Sequence, residues 1–235
     1  MGIGYALRQD PPELELMLFD FCPYGQRAMI TALQGEVPLH LTVLDPDHLP
    51  GDFAIISPLG YVPLLRVDGG EMLFESAVIS EYLASLSHQD LFPTHALELA
   101  RMRAWIEFGS ACQAGLMQLL QAGDEALCRK RALDLLERLG HLAATLAEDG
   151  PYHHGEFFTL IDAAYAPFFQ RLRALTGISD MFSEELLPTR LRRWMDTLQE
   201  TPSVQASVIG DFDKVFRSFI ARKAPDGFIQ QQLLN

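Results

Sequence analysis

Cys22-Pro23-Tyr24-Gly25 is a stretch whose residue types can do chemistry. Apolar periodicity around it puts the cysteine between a strand end and a helix start. There it would meet the positive end of a helix dipole and the unpaired N–H groups of the first turn. Such placement can draw a thiol pKa from ~8.5 down to about 7 or lower, giving thiolate at neutral pH. Gly25 stands where a CxxC pair would carry its second cysteine, and Cys112 and Cys128 are remote in sequence. A reactive Cys22 would therefore need an external thiol to finish its turnover. Taken alone, a Cys-Pro dipeptide at a helix start is quite often a small buried residue.

Two further segments carry recognition chemistry. In Ser57-Pro58-Leu59-Gly60-Tyr61-Val62-Pro63, a cis bond before Pro63 would leave the Val62 backbone groups free to pair with an extended peptide, though residue types do not fix the isomer. Glu75-Ser76 opens a helix whose N–H groups and Ser76 hydroxyl suit a carboxylate, while Glu75 suits an ammonium. Together they could hold the α-amino-acid end of a small peptide. Either motif alone reads more simply as helix capping beside a solvated carboxylate.

The elements that must position these groups alternate in the first part of the chain. Strand-like runs at 14–21, 39–44, 63–67 and 71–74 alternate with helical patterns at 24–33 and 76–86 and a short piece at 50–56. The order is β-α-β-α-β-β-α, and residues 1–13 read as a loose extension. Beyond residue 90 the patterns are helical: 97–120, 124–146, 160–175 (broken or bent at Pro167), 188–198 and 202–220, with a fraying tail at 224–235. Charge divides at the same place. Residues 1–90 hold thirteen acids, three arginines and no lysine, whereas residues 91–235 hold eighteen acids and fifteen bases. Two domains, 1–90 and 91–235, are the simplest reading.

The net charge of −13 argues against nucleic acid as a primary ligand. No apolar run approaches the ~20 residues that cross a bilayer, and the opening residues lack a signal-peptide core. Myristoylation fails at Ala6. Three scattered cysteines do not make a disulfide scaffold, so a reduced, cytoplasmic protein is expected. His153-His154 lacks a third metal ligand at a recognised spacing and reads as a pair of solvated loop residues; no metal is expected. Cys112 and Cys128 read as buried, inert thiols.

Cys-Pro-Tyr-Gly-Gln-Arg, Pro-Leu-Gly-Tyr-Val-Pro and Phe-Glu-Ser-Ala-Val-Ile, in this order, resemble the glutathione S-transferase superfamily. The cysteine places the chain nearest omega-like and related bacterial members. Phe158-Thr159-Leu160-Ile161-Asp162 is similar to the family's buried capping box, with Thr159 as N-cap and Asp162 at N3. Arg103 to Phe108 is similar to the first helix of its helical domain. The resemblance spans roughly residues 14–222. It implies a thioredoxin-like N-terminal domain that binds glutathione as co-substrate, an all-α second domain and a homodimer. It implies that Cys22 forms the mixed disulfide and that Val62, before cis Pro63, pairs with the cysteinyl unit. Glu75 and Ser76 would take the γ-glutamyl end, and Tyr24, Trp105 and Phe108 would border the pocket for an electrophilic or disulfide substrate.

One place departs from the pattern. Omega-like members carry a lysine for the glycine carboxylate of glutathione where this chain has Leu49. Losing one charge-assisted contact costs roughly 1.5–3 kcal/mol unless another group replaces it. His48, Arg66, Arg101 and Arg103 are the candidates. The implied activity is thiol transfer or reduction of the dehydroascorbate type, with conjugation of electrophiles secondary. The alternative is a non-catalytic regulatory protein, since stringent starvation protein A resembles the same superfamily in both domains.

Overall fold

The computed structural model describes residues 11–180 and 182–234. The expected extension falls outside the described residues up to position 10. Four strands, β1 (Leu14–Leu18), β2 (His40–Val43), β3 (Leu64–Val67) and β4 (Glu71–Phe74), form one sheet in the order β2-β1-β3-β4. β1 pairs in parallel with β2 and antiparallel with β3, with Leu16 opposite both Leu41 and Leu65. The strands sit inside the sheet because their side chains alternate between two apolar clusters. Leu14, Leu16 and Leu18 join Ala28, Ala32, Ile79 and Leu83 on one face, and Met17 joins Phe53, Val62 and Leu64 on the other. Asp68 and Gly69 both take positive φ and turn β3 into β4, as an Asp-Gly hairpin requires.

Helix α1 (Pro23–Gln34) follows β1, α2 (Phe53–Ile56) is a single turn, and α3 (Ser76–Leu86) follows β4. Pro23 stands in the first turn of α1, where its missing N–H costs nothing, and Cys22 is the N-cap. This is a thioredoxin-like unit, and every strand of the described residues belongs to it.

The rest is helical: α4 (Ala96–Leu120), α5 (Glu125–Ala143), α6 (Leu160–Thr176), a 3-10 turn (Glu184–Leu186), α7 (Thr189–Glu200), α8 (Pro202–Ala206), α9 (Phe212–Lys223) and α10 (Phe228–Leu234). Their core cluster also takes in Phe21, Ile30 and Ala84 from the first unit, so the two parts share apolar packing. Three sequence expectations need correction. α6 runs unbroken through Pro167 because it is buried on nearly every side. The span 202–220 is two helices, since Gly210 adopts φ +70 and Asp211 starts α9 by accepting the Lys214 N–H at 3.1 Å. The tail does not fray: the Phe228 N–H donates to the Ala122 carbonyl at 2.7 Å and Ile229 is fully buried.

Asp162 knots this helical part together. One carboxylate oxygen accepts the Thr159 N–H and hydroxyl at 2.8 and 2.9 Å. The other accepts the His153 N–H at 3.0 Å and the Trp194 indole N–H at 2.7 Å. His153 is thereby drawn inside, contrary to its expected solvated position. It is 2% exposed, its ring lies 5.3 Å from that of Trp194, and burial, with His154 adding to it, pushes its pKa down to about 3. Each buried donor left without an acceptor costs ~1–3 kcal/mol. Asp162→Ala strands four such donors, so its unfolding free energy in a denaturant titration is expected to fall by several kcal/mol.

Candidate active site

Cys22 lies at the mouth of the first turn of α1 and is half-buried. Its sulfur accepts the Gly25 N–H at 3.4 Å, and its thiol donates to the Val62 carbonyl at 3.7 Å. The Val62-Pro63 peptide bond is cis. Gly25 is where it is because α1 packs hard onto β1: a Cβ there would stand 2.7 Å from the Leu18 Cβ. A resolving cysteine at position 25 is therefore sterically barred.

Cys22 opens into a cavity of about 560 Å³ between the two parts of the chain. Tyr24, Val62, Pro63, Glu75 and Ser76 line it on the thioredoxin-like side. Glu75 holds φ +68, a region that costs a non-glycine residue ~1–3 kcal/mol and that persists where the surroundings over-determine it. The kink puts Glu75 directly before the N-terminal turn of α3, where Ser76 begins the helix. Six of the residues singled out from sequence thus meet in one place.

Leu49, Trp105 and Phe108 do not line the cavity. The loop after β2 folds on Asp45, which accepts the Asp47 N–H at 2.9 Å and pairs with the His48 ring at 2.8 Å, and Pro46 is the loop residue that reaches the cavity wall. Trp105 and Phe108 stack edge to face, 5.1 Å apart, against the helical core. The face of α4 turned to the cavity is instead that of Glu107 and Ser110. The expected stand-ins for the lysine are also engaged elsewhere or absent from the wall: Arg66 pairs with Glu15 and Arg103 with Glu81, both at 2.6 Å. Sequence reasoning missed the wall formed by Phe219, Arg222 and Lys223 of α9. The only local signal was two cations in a helix's last turn, which dipole compensation explains equally well.

Cations and anions balance around this cavity although the first 90 residues are strongly acidic. Asp20, Glu75 and Glu107 face it with Arg27, Arg222 and Lys223. Arg27 is 4% exposed, donates to the Ser110 hydroxyl at 3.1 Å and lies 5.3 Å from the Tyr24 ring centre. His48, and more weakly Arg222, hold the Asp45 carboxyl below its ordinary value. The cysteine itself titrates against the sequence expectation. Burial pushes the Cys22 thiol up, and the Gly25 and Tyr24 N–H groups with Arg171 and Arg27 only partly pull it back. Cys112 is pushed up to about 11 by burial, and Cys128 is raised for the same reason. Among the described residues no cluster of three metal-ligating side chains forms, and no helix is long and apolar enough to cross a membrane.

Comparison with known proteins bears on the family. Residues 21–86 match the family model for the glutathione S-transferase N-terminal domain. Glutathione S-transferase omega-1 of Sus scrofa is 25% identical over 231 residues, covering 96% of this chain and 94% of the relative. Residues 21–86 thus carry a glutathione S-transferase N-terminal domain, and the chain as a whole is similar to omega-class glutathione S-transferases. Probable glutathione S-transferase DHAR1, cytosolic, of Oryza sativa subsp. japonica is 27% identical over 152 residues, 65% of this chain and 67% of the relative. The structure of glutathione transferase Omega 3C from Trametes versicolor superposes with a TM-score of 0.77 at 25% identity, covering 86% of this chain and 91% of that one. This likeness accounts for the thioredoxin-like unit and the helical part that closes its cavity.

With the thiol raised by burial, Cys22 is held mostly as S–H at neutral pH. Alkylation of Cys22 by iodoacetamide, followed by intact mass, is expected to keep accelerating as pH rises through and beyond ~8.5, the value of an unperturbed cysteine. A rate already level at pH 7 would contradict this.

Proposed function

We propose that the chain is a glutathione-dependent thiol transferase whose Cys22 carries glutathione as a mixed disulfide. The observation that supports this most is the convergence of the Cys22 thiol, the Val62 peptide and the Glu75-Ser76 helix start on one cavity. In this reading residues 1–90 hold glutathione, and residues 91–235 close the pocket for its partner. The glutathione cysteinyl backbone pairs with Val62, as an added strand would. Its γ-glutamyl carboxylate sits on Ser76 and the first N–H groups of α3, and its ammonium meets Glu75. Tyr24 with Phe219 borders the second substrate.

The reaction is a pair of exchanges. The Cys22 thiolate attacks the glutathionyl sulfur of a mixed disulfide, forms the Cys22–glutathione disulfide and expels the substrate thiolate, which takes up a proton. A second glutathione, as thiolate, attacks the bound glutathionyl sulfur. Oxidised glutathione leaves and the Cys22 thiolate returns. An external thiol must perform the second step because position 25 is glycine and Cys112 and Cys128 are buried. The relatives named omega and DHAR1 agree with this class of chemistry.

The missing lysine finds its replacement in the second part of the chain. Arg222 and Lys223 face the cavity, and no ion pair engages either among the described residues. They receive the glycine carboxylate.

Two measurements test the reading. After incubation with oxidised glutathione, wild type is expected to gain one adduct that reduced glutathione removes, and Cys22→Ala none. No adduct, or an equal one on Cys22→Ala, points to the regulatory alternative. The Arg222→Ala/Lys223→Ala double variant is expected to raise KM for glutathione by about 10- to 100-fold, the range for one or two charge-assisted contacts. It should also lose the preference of wild type for glutathione over its glycyl ethyl ester. A preference that survives intact assigns the carboxylate to another group.

A further inference from the structure

Arg171 of α6 is a buried cation with nothing negative beside it. It is 3% exposed. One terminal nitrogen donates to the Gln26 side-chain oxygen and the Pro167 carbonyl, both at 2.8 Å. The other donates to the Phe21 carbonyl at 2.9 Å, and its Nε has no acceptor. The guanidinium carbon lies 4.1 Å from the centre of the Phe21 ring. Among the described residues no carboxylate reaches it within ion-pair distance. Neutral carbonyls and a ring face solvate a guanidinium but do not cancel its charge. A buried cation ordinarily keeps an ionic partner.

The partner available is the residue after Phe21. Among the described residues, the charged and titratable groups that line the cavity with Cys22 are Tyr24 and Arg27 from α1, Asp20 from the loop before it, Tyr61 from the loop before β3, and Glu75 from the turn before α3. Glu107 comes from α4, and Arg222 and Lys223 come from α9. Arg27 has the Tyr24 phenol and Glu107 as electrostatic neighbours besides Cys22. Among the described residues, the titratable group that bears on Arg171 is Cys22. We propose that Arg171 is the counter-ion of the Cys22 thiolate, a positioning residue by which the helical domain makes the cysteine of the other domain reactive. This rests on Cys22 being the nucleophile of the proposed function.

The placement has a consequence for regulation of the thiol. Arg171 touches Phe21, the residue before the cysteine, only across the interface, where Gln26 also donates to Gln170 at 2.6 Å and to Ser207 at 3.0 Å. Separating the two parts would withdraw the cation from the thiol. The charge is buried, so added salt screens it little.

The test is the pH dependence of Cys22 alkylation by iodoacetamide, assigned by intact mass against Cys22→Ala. Arg171→Met removes the charge, and Arg171→Gln removes it while keeping a polar amide if the methionine variant does not fold. Arg171→Lys keeps the charge. Ser207→Ala disturbs the interface network without touching it. The charge-removing variants are expected to shift the midpoint upward and lower the rate at neutral pH at least about tenfold, since one unit of displacement is tenfold in thiolate below the midpoint. Arg171→Lys should recover part of that loss, and Ser207→Ala should follow wild type. A folded Arg171→Met or Arg171→Gln protein with the wild-type profile overturns the proposal alone. So does an equal shift in Ser207→Ala, because the effect would then be one of packing. A wild-type Cys22 inert at every pH overturns it together with the transferase reading.

Discussion

Helix α1 is pressed between the sheet and α6, and that sandwich fixes the site. On one side Gly25 lets the helix backbone touch Leu18, where a methyl group would sit 2.7 Å from the leucine Cβ. On the other, Gln26 bonds to Gln170 and Ser207 and accepts from Arg171. The N-cap of a helix so held has little freedom to move. Cys22 therefore presents its sulfur at one place, facing the Val62 carbonyl. The same packing decides the style of chemistry. The glycine that allows close approach occupies the position a resolving cysteine would need, so on the proposed reading the exchange runs through a single protein thiol.

Charge is divided between the two parts of the molecule in a way that makes each incomplete. The thioredoxin-like unit holds the thiol, yet residues 1–90 carry ten more acids than bases. An anionic peptide would be repelled by that half alone. Arg222 and Lys223 at the end of α9 and Arg171 within α6 bring positive charge from the helical part. Among the described residues, Arg27 is the one cation of the first part that lines the cavity, and it is anchored on Ser110 of α4. Interfacial docking is thus an electrostatic requirement as well as an apolar one. On the proposed reading, the charge that a lysine near Leu49 would supply comes from the opposite wall.

The sequence was most legible where the signal is local. Ser76–Leu86 carries its apolar side at helical spacing and forms α3 over those same residues. Cys22-Pro23, Val62-Pro63 and Glu75-Ser76 each announce a turn or a helix start, and these are the residues that meet in the cavity. Failures came where a neighbour decides. Apolar residues are spread around α4 without a sharp stripe, so its pattern does not say whether Trp105 or Glu107 faces the cavity. Arg222 lies some 200 residues from Cys22 in sequence, and nothing near either one reports the other. His153 looked like a loop residue, but Asp162 and Trp194 close over it. The thiol shift had the wrong sign because dipole and N–H effects are local and readable, whereas burial is a property of the finished fold.

That reversed sign bears on how a cysteine enzyme would rest between turnovers. A raised thiol is a poor target for oxidants, which attack thiolate. The Cys22 S–H has the Val62 carbonyl as its acceptor. On the proposed reading the backbone groups of Val62 are what an incoming glutathione engages. A peptide N–H that takes the carbonyl would remove the acceptor that favours S–H, while the Gly25 and Tyr24 N–H groups and the buried arginines that favour thiolate stay in place. Hydrogen bonds to one protonation state stabilise that state alone. Ligand binding would then tip the balance toward thiolate without moving α1, and the same backbone carbonyl would serve both to shelter the resting thiol and to release it.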